Sequence, residues 1–294
     1  MGFVAQRPRI YVEYHGRLGN QLFQYALAKS IAERIQGEVI NVDWIYRASH
    51  GTRPAIQAFQ LEARSPDLID ECVIRLVTGR TGRRIGRIIS GIIPKMIVDK
   101  EDGFNVEVNQ INKSVYLRGY WQSYRYFDMI AEKLFLQMKP RLALSDRTEC
   151  ARTVAQSDGT VVIHVRRGDY IHNPGFSEIF VSHGKEFYMR ALQLFAKVRP
   201  IERLIVVSDD PVWCRENLRL GYSTFVMEQP PLGDWEDLWL MASARRIVIA
   251  ASSFSWWAGW LVYRKGGAVV APMVWRQGAE VPPRDLIPHE WHLI

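Results

Sequence analysis

Residues 9–42 read RIYVEYHGRLGNQLFQYALAKSIAERIQGEVINV. An apolar run, RIYVEY, gives way to a glycine turn, HGRLGNQ. In the stretch that follows, Leu22, Tyr25, Ala26, Ala28, Ile31 and Ala32 recur at a helical period. Gly37 ends this helix and a second strand runs over Glu38–Val42. A strand, a helix and a second strand joined this tightly are a crossover unit, and crossover units build parallel sheets. The fold class read from this stretch is α/β.

The same alternation returns after residue 160. TVVIHVR (160–166) is a buried strand ending in a polar burst, 185–197 is helical, and RLIVV (203–207) is a strand running into Ser208, Asp209, Asp210 and Pro211. A short helix over 212–218, a strand over 223–227, a helix over 234–244 with an acidic start, and a strand over 246–250 follow. Residues 252–255 form a turn, 256–263 a helix and 267–271 a last strand. Between the two alternations lie a strand over 114–120, a helix over 126–136 and a boundary near 140–145. The reading is two α/β domains, 1–145 and 146–294. In doubly wound sheets ligands bind outside the carboxyl ends of the strands, and the polar bursts noted here follow strands.

Composition narrows the function. The chain has 294 residues, 48% of them hydrophobic and 23% charged, which is globular and not disordered. Thirty-eight basic against 31 acidic side chains give +7, which favours an anionic partner. Cys72, Cys150 and Cys214 are odd in number and far apart, so neither a disulfide framework nor a zinc site is expected. The first residues lack a signal-peptide core and no apolar run reaches about 20 residues, so a cytoplasmic protein without a membrane span is expected. The 75–95 segment carries Arg75, Arg80, Arg83, Arg84, Arg87 and Lys95 among isoleucines, with no acid between Glu71 and Asp99. No nucleic-acid-binding signature accompanies it. Peripheral contact with an anionic membrane, on its inner face, is one use of such a segment, and a solvated face is the other.

Four stretches carry candidate chemistry. In His164-Val165-Arg166-Arg167-Gly168-Asp169-Tyr170, a buried strand delivers a histidine, two arginines and an aspartate to its end. One arginine suits bidentate phosphate binding, with Asp169 orienting the second; a structural ion pair is the alternative. Gly16 to Gln21, with Gly19 and Asn20 at the helix start, offers backbone N–H groups to an anion or sugar, or closes a tight turn. Asp209 or Asp210 could accept from the two donors of a guanine edge, or could cap a helix that has Pro211 at its first position. Ser252, Ser253, Phe254 and Ser255 set hydroxyls and N–H groups at a helix start beside an aromatic wall, or form a capped core helix. No DxD pair is present to hold a divalent metal.

Taken together, GRLGNQLFQYALAKSIA (16–32), GYWQSYRYF (119–127), HVRRGDY (164–170) and SSFSWWAGWL (252–261) resemble the bacterial α-1,2-fucosyltransferases of glycosyltransferase family 11, in family order and over almost the whole chain. The resemblance implies a GT-B fold, two Rossmann-like domains facing a cleft, with an N-terminal acceptor side and a C-terminal donor side. It implies inverting, metal-independent transfer of fucose from GDP-fucose to the 2-hydroxyl of a galactose-terminated glycan; a lipid-linked acceptor would go with the membrane use of the 75–95 segment. By position, Arg166 would hold the diphosphate, His164 and Asp209 or Asp210 the GDP end, Ser252, Ser253 and their neighbours phosphate and fucose, and residues 16–21 would close on the donor. Asp169, Glu178 and His164 are candidates for a base. Two departures stand out: Arg246 where the family usually has histidine, and Ala251 where it usually has asparagine. The competing readings are a GT-B transferase with another nucleotide sugar and an inactive glycan- or nucleotide-sugar-binding homologue.

Overall fold

The computed structural model describes residues 7–79, 93–99 and 103–294. The chain divides into two units, Met1–Lys139 and Pro140–Ile294. The break falls earlier than residue 145 because the connecting stretch is tied into the second unit: the Ser145 N–H donates to the buried Glu236 carboxylate at 2.6 Å.

In the first unit, β1 (Arg9–Glu13), β2 (Glu38–Val42), β3 (Lys95–Val98) and β4 (Val115–Arg118) form a parallel sheet of order β2-β1-β4-β3. Helix α1 (Leu18–Ile35) joins β1 to β2 and is buried on most of its circumference. That explains a sequence with so little polar face: a helix covered on all sides has no solvent stripe to supply. Gln36 closes α1 in the left-handed conformation. A side chain at Gly37 would run into the Pro8 carbonyl, so the crossover can be this short only with glycine there.

Helices α2 (Asp43–His50) and α3 (Leu68–Thr78) follow β2. The sequence reading named neither; α2 is short and buries only Tyr46. Asp67 and Asp70 form a capping box at the start of α3. The helix expected over 126–136 is shorter. Two 3-10 turns, Tyr124–Tyr126 and Asp128–Ile130, precede α4 (Ala131–Gln137). Phe127 breaks the run because its non-helical backbone lets the fully buried ring pack on Phe23, 6.1 Å between centroids. Of the basic segment, residues 80–92 lie outside the described residues.

The second unit opens with α5 (Asp146–Ala155) and β5 (Thr160–Val165), whose six residues are all buried. Then come the short helices α6 (Gly168–His172) and α7 (Pro174–Ser177), α8 (Lys185–Val198), β6 (Arg203–Ser208), α9 (Pro211–Asn217) and β7 (Ser223–Val226). Helix α10 (Asp234–Ala242) leads to β8 (Arg246–Val248), α11 (Ser253–Arg264), β9 (Ala268–Ala271) and β10 (His292–Leu293). All strands are parallel, in the order β10-β9-β8-β5-β6-β7. Val161, Ile163, Val165, Leu192, Leu204, Val206 and Val248 make the core on one face. Both faces of β5 are covered, which is why it reads as an unbroken apolar run and not an alternation.

The order fixes a switch point in each sheet. In the second unit the chain runs from β5 outward to β6 and β7, then returns to the other side of β5 at β8. The crevice between the carboxyl ends of β5 and β8 is where such sheets take ligands.

Candidate active site

Four residues leave β5 at that crevice. Arg166 is bracketed by carboxylates: its Nη2 donates to Asp169 Oδ1 at 2.6 Å and its Nη1 lies 3.0 Å from Asp209 Oδ2. Its Nε is buried without a hydrogen-bond partner in the protein. Arg167 points to the opposite side. It contacts Asp210 Oδ2 at 3.4 Å and lies over the Trp213 ring, 3.6 Å from guanidinium carbon to centroid. Asp169 therefore orients the first arginine and not the second, as the sequence reading had it. The reason is register: three residues on, at the first turn of α6, Asp169 comes back over Arg166.

Asp209 and Asp210 act as brackets. Asp209 Oδ1 accepts the Arg167 backbone N–H at 2.8 Å, and Asp210 Oδ1 caps α9 by accepting from Trp213 N at 3.1 Å. Both thus spend acceptor capacity on the protein itself. Gly168 is required here, because a Cβ would sit 2.5 Å from Asp209 Oδ2. The carboxylates of β6 and the arginines of β5 are one knot tying two adjacent strand ends.

From the β8 side, α11 aims its first turn at the same edge. Ser252 is its N-cap, accepting from Phe254 N at 3.3 Å. Ser255 is fully buried and donates to the Ala250 carbonyl at 3.2 Å, so its hydroxyl is structural. Ser253 and Phe254 stay partly exposed. Helix α11 starts three residues before the expected 256, at Ser253, since the Ser252 cap makes the turn the first turn of the helix. The Tyr170 hydroxyl donates to the Ala251 carbonyl at 3.0 Å and ties the β5 exit to the β8 exit. The contact uses backbone at residue 251, so alanine there keeps it.

His164 is buried, with Nδ1 unpartnered and its ring 5.7 Å from that of Phe254. Burial first, and the Arg166 charge second, push its pKa down to about 3. It is a neutral imidazole at the floor of the crevice. Asp237, in the first turn of α10, was not singled out in the sequence. It is buried, its Oδ1 has no partner, and burial together with Asp234 and Glu236 raises its pKa to about 8. The DWED run was its signal, read there only as dipole complementation.

Arg246 does not belong to the site. It starts β8, at the edge opposite the crevice, and donates to the Arg199 and Pro200 carbonyls at 2.9 and 3.1 Å and to that of Asp158. Gly19, Asn20 and Gln21 lie in the first unit. Gln21 is buried; its amide donates to the Gly16 carbonyl at 2.9 Å and accepts from Ile56 N at 3.0 Å, so its side chain closes the turn. Asn20 Oδ1 accepts from Gln122 at 2.7 Å. No cluster of three metal-ligating side chains occurs among the described residues, and no helix among them is long and apolar enough to cross a membrane.

Residues 100–293 match the model of glycosyl transferase family 11. The chain belongs to that family. It is a glycosyltransferase, and the matched span takes in the whole crevice just described. The α-1,2-colitosyltransferase of Escherichia coli is 27% identical, over 94% of this chain and 95% of that protein. The O-antigen biosynthesis glycosyltransferase WbnK of Escherichia coli is 26% identical, over 90% and 93%. Galactoside α-(1,2)-fucosyltransferase 1 of Alouatta caraya is 24% identical, over 84% of this chain and 63% of that protein. Among solved structures, the α-1,6-fucosyltransferase NodZ, soaked with GDP-fucose, covers 87% of this chain and 93% of its own, at 16% identity and a TM-score of 0.50. That likeness concerns fold alone, and with the two parallel α/β units it places this family 11 chain in the GT-B class.

Proposed function

We infer that the protein is an inverting α-1,2-fucosyltransferase, moving fucose from GDP-fucose to the 2-hydroxyl of a galactoside. The observation that carries this reading is Arg166. It is held at the switch point by two carboxylates, with a buried Nε–H unused by the protein. When the bond from the anomeric carbon to the β-phosphate oxygen breaks, negative charge grows on the diphosphate. A guanidinium held in place beforehand, beside the N–H groups at the start of α11, stabilises that charge without reorganising. Asp169 and Asp209 position the guanidinium, and Gly168 lets Asp209 approach. Neutral His164 and the Phe254 ring form the floor on which the nucleotide end rests. Of the base candidates, Asp169 is engaged by Arg166 and His164 is buried, and neither is assigned that role. In this scheme the charge of the leaving diphosphate falls to arginine and backbone amides, with no metal required.

Calorimetry with GDP-fucose, GDP-mannose, UDP-galactose and GDP, with and without EDTA, tests the reading on the parent and on Arg166→Ala. GDP and GDP-fucose should bind regardless of EDTA, and the variant should lose most of that binding. Failure of guanine nucleotides to bind folded protein would end the reading. Binding without turnover on any galactoside would leave an inactive binding homologue. The likeness to a colitosyltransferase supports one second reading, a colitosyl donor at the same crevice, which adding that donor to the panel separates.

A lipid-linked acceptor is a further part of the proposal. Helix α3 turns Leu68, Ile69 and Leu76 to solvent, next in sequence to the basic segment. Co-sedimentation with anionic vesicles tests it; no binding by the parent would remove the membrane contact and leave the transferase reading intact.

A further inference from the structure

The first unit has its own switch point. The chain leaves β1 toward β2 on one side, and β4 and β3 lie on the other, so the crevice is between the ends of β1 and β4. A charged cluster occupies it that none of the transferase motifs includes. Glu13, the last residue of β1, is almost fully buried. It accepts Arg118 Nε at 3.1 Å and Nη2 at 2.7 Å, takes the Tyr116 hydroxyl, and lies 2.9 Å from His15 Nε2. Burial alone would raise its pKa; His15, Arg118 and Tyr116 outweigh burial and hold it down at about 2, so it stays a carboxylate.

The backbone around the cluster is locked as well. Buried Gln24 of α1 accepts the His15 N–H at 3.1 Å and donates to the carbonyls of His15 and Gly119, at 3.2 and 2.9 Å. One side chain thereby staples the β1 exit to the β4 exit. Asp99, just past β3, donates its N–H to the Arg118 carbonyl at 2.9 Å and accepts the Trp121 N–H at 2.7 Å. A Cβ at Gly119 would collide with Asp99, and Trp121 holds a positive φ of 56°. Three strand ends are therefore fixed around an imidazole and a guanidinium that each keep about a third of their side-chain surface exposed, 36% in both cases.

His15 Nε2 is buried against Glu13 while the rest of the ring reaches solvent. Nε2 approaches the carboxylate without hydrogen-bond geometry, so Nδ1 is the nitrogen on the solvent side, and with the proton on Nε2 an imidazole offers Nδ1 as an acceptor. An acceptor nitrogen on a fixed ring, beside a fixed guanidinium donor, matches a vicinal pair of sugar hydroxyls: one donates to the imidazole and its neighbour accepts from the arginine. We propose that His15 and Arg118, held by Glu13, are a saccharide-binding subsite of the first unit, taking the hydroxyls of a galactoside. This rests on the transferase reading above and adds the residues that recognise the sugar.

The test uses the full chain. Methyl β-galactoside and lactose are titrated in the presence of GDP and followed by ligand-observed NMR, and acceptor KM and kcat are measured with GDP-fucose. His15→Ala should weaken galactoside binding and raise acceptor KM by roughly five- to tenfold, the loss of one or two hydrogen bonds, with GDP affinity unchanged. His15→Asn, which restores an acceptor oxygen near the Nδ1 position, should recover part of the loss; a merely structural role would give no such recovery. Arg118→Lys should also raise KM more than it lowers kcat. Galactoside binding and KM within twofold of the parent in His15→Ala would overturn the proposal, as would no galactoside binding to the parent by NMR. Failure of GDP to bind is a separate result and would remove the transferase reading instead.

Discussion

The two sheet edges are built from the same parts and finished differently. Each unit is a parallel sheet with a switch point, and each switch point carries an arginine, a histidine and carboxylates. In the first unit one carboxylate, Glu13, gathers two donors, Tyr116 and Arg118, with the His15 ring beside them. In the second, one cation, Arg166, gathers two carboxylates. The first arrangement stabilises an anion and leaves an imidazole and a guanidinium at its rim. The second stabilises a cation and keeps a buried N–H in reserve. Buried polar atoms without partners cost stability; the first edge holds one, His15 Nε2, and the second holds several: Arg166 Nε, His164 Nδ1 and Asp237 Oδ1. A fold tolerates such atoms where a ligand supplies their partners, and this supports the proposal of the anionic donor at the second edge.

The largest expected effect breaks this contrast at Arg166. Removing the guanidinium deletes the charge that faces the leaving diphosphate and takes from Asp169 and Asp209 the cation both contact. Arg166→Ala should lower kcat by about 10²–10³, the scale for losing one oriented donor to developing charge. Arg166→Lys should recover little, since a point charge cannot reach both carboxylates and a phosphate in one plane. A lysine variant with near-parental kcat would show that charge alone, without the fork, suffices.

Arg246 supplies the next test, at the opposite edge of the same sheet. Arg246→Ala leaves three carbonyls without their donor, at a cost of about 1–3 kcal/mol, or roughly 2–4 °C of Tm per kcal/mol in a chain of this size. Donor affinity should not change, because the residue lies across the sheet from the crevice. Loss of GDP binding without loss of Tm would contradict the placement.

These residues also show what the sequence made legible. The parallel sheets were readable because strands covered on both faces are written as unbroken apolar runs, as in Thr160–Val165 and Arg203–Ser208. Arg166 was readable because charge packed directly after such a strand costs stability unless an ion pair or a ligand compensates it. The pairing of Asp169 with Arg166 was not, since it depends on how α6 turns. The dual role of Asp210 as cap and bracket depends on Trp213 and Arg167 arriving together. Asp237 was hidden because an acid at a helix start is ordinary and only burial makes it unusual. Arg246 stood out as a departure from the family's usual histidine, and its place as the first residue of β8 puts it at the far edge of the sheet.

Asp237 makes the second edge sensitive to alkali. Its folded pKa, about 8, stands above the unfolded 3.8. The folded state therefore holds a proton that the unfolded state releases, and stability falls as pH rises from about 4 to 8. Asp237→Asn removes this dependence. Its gain in Tm over the parent should be larger at pH 8.5 than at pH 4.5, read by calorimetry at matched ionic strength. Equal gains at both values would show that the carboxyl is ionised in the fold.

The smallest effect sharpens the comparison on the acid side. His164 and His183, both in the second unit, have folded pKa values pushed down to about 3 and about 4, burial being the main cause for each. Both lie below the ordinary 6.5, so their contribution is fully present above pH 6.5 and is lost as pH falls toward those values. In the first unit, Glu13 is lowered from 4.5 to about 2 and Asp70 is also lowered, so the loss there begins only below about pH 4.5. Asp237 works the other way over part of this range, so the comparison is made in Asp237→Asn. Between pH 6.5 and 4.5 the amides of β5 and β6 should lose hydrogen-exchange protection while those of β1 and β4 keep theirs. If the order were reversed, the charged knot around Glu13 and not the buried imidazoles would be the weaker edge, and the cost of keeping unpartnered polar atoms would not set the stability of the second unit.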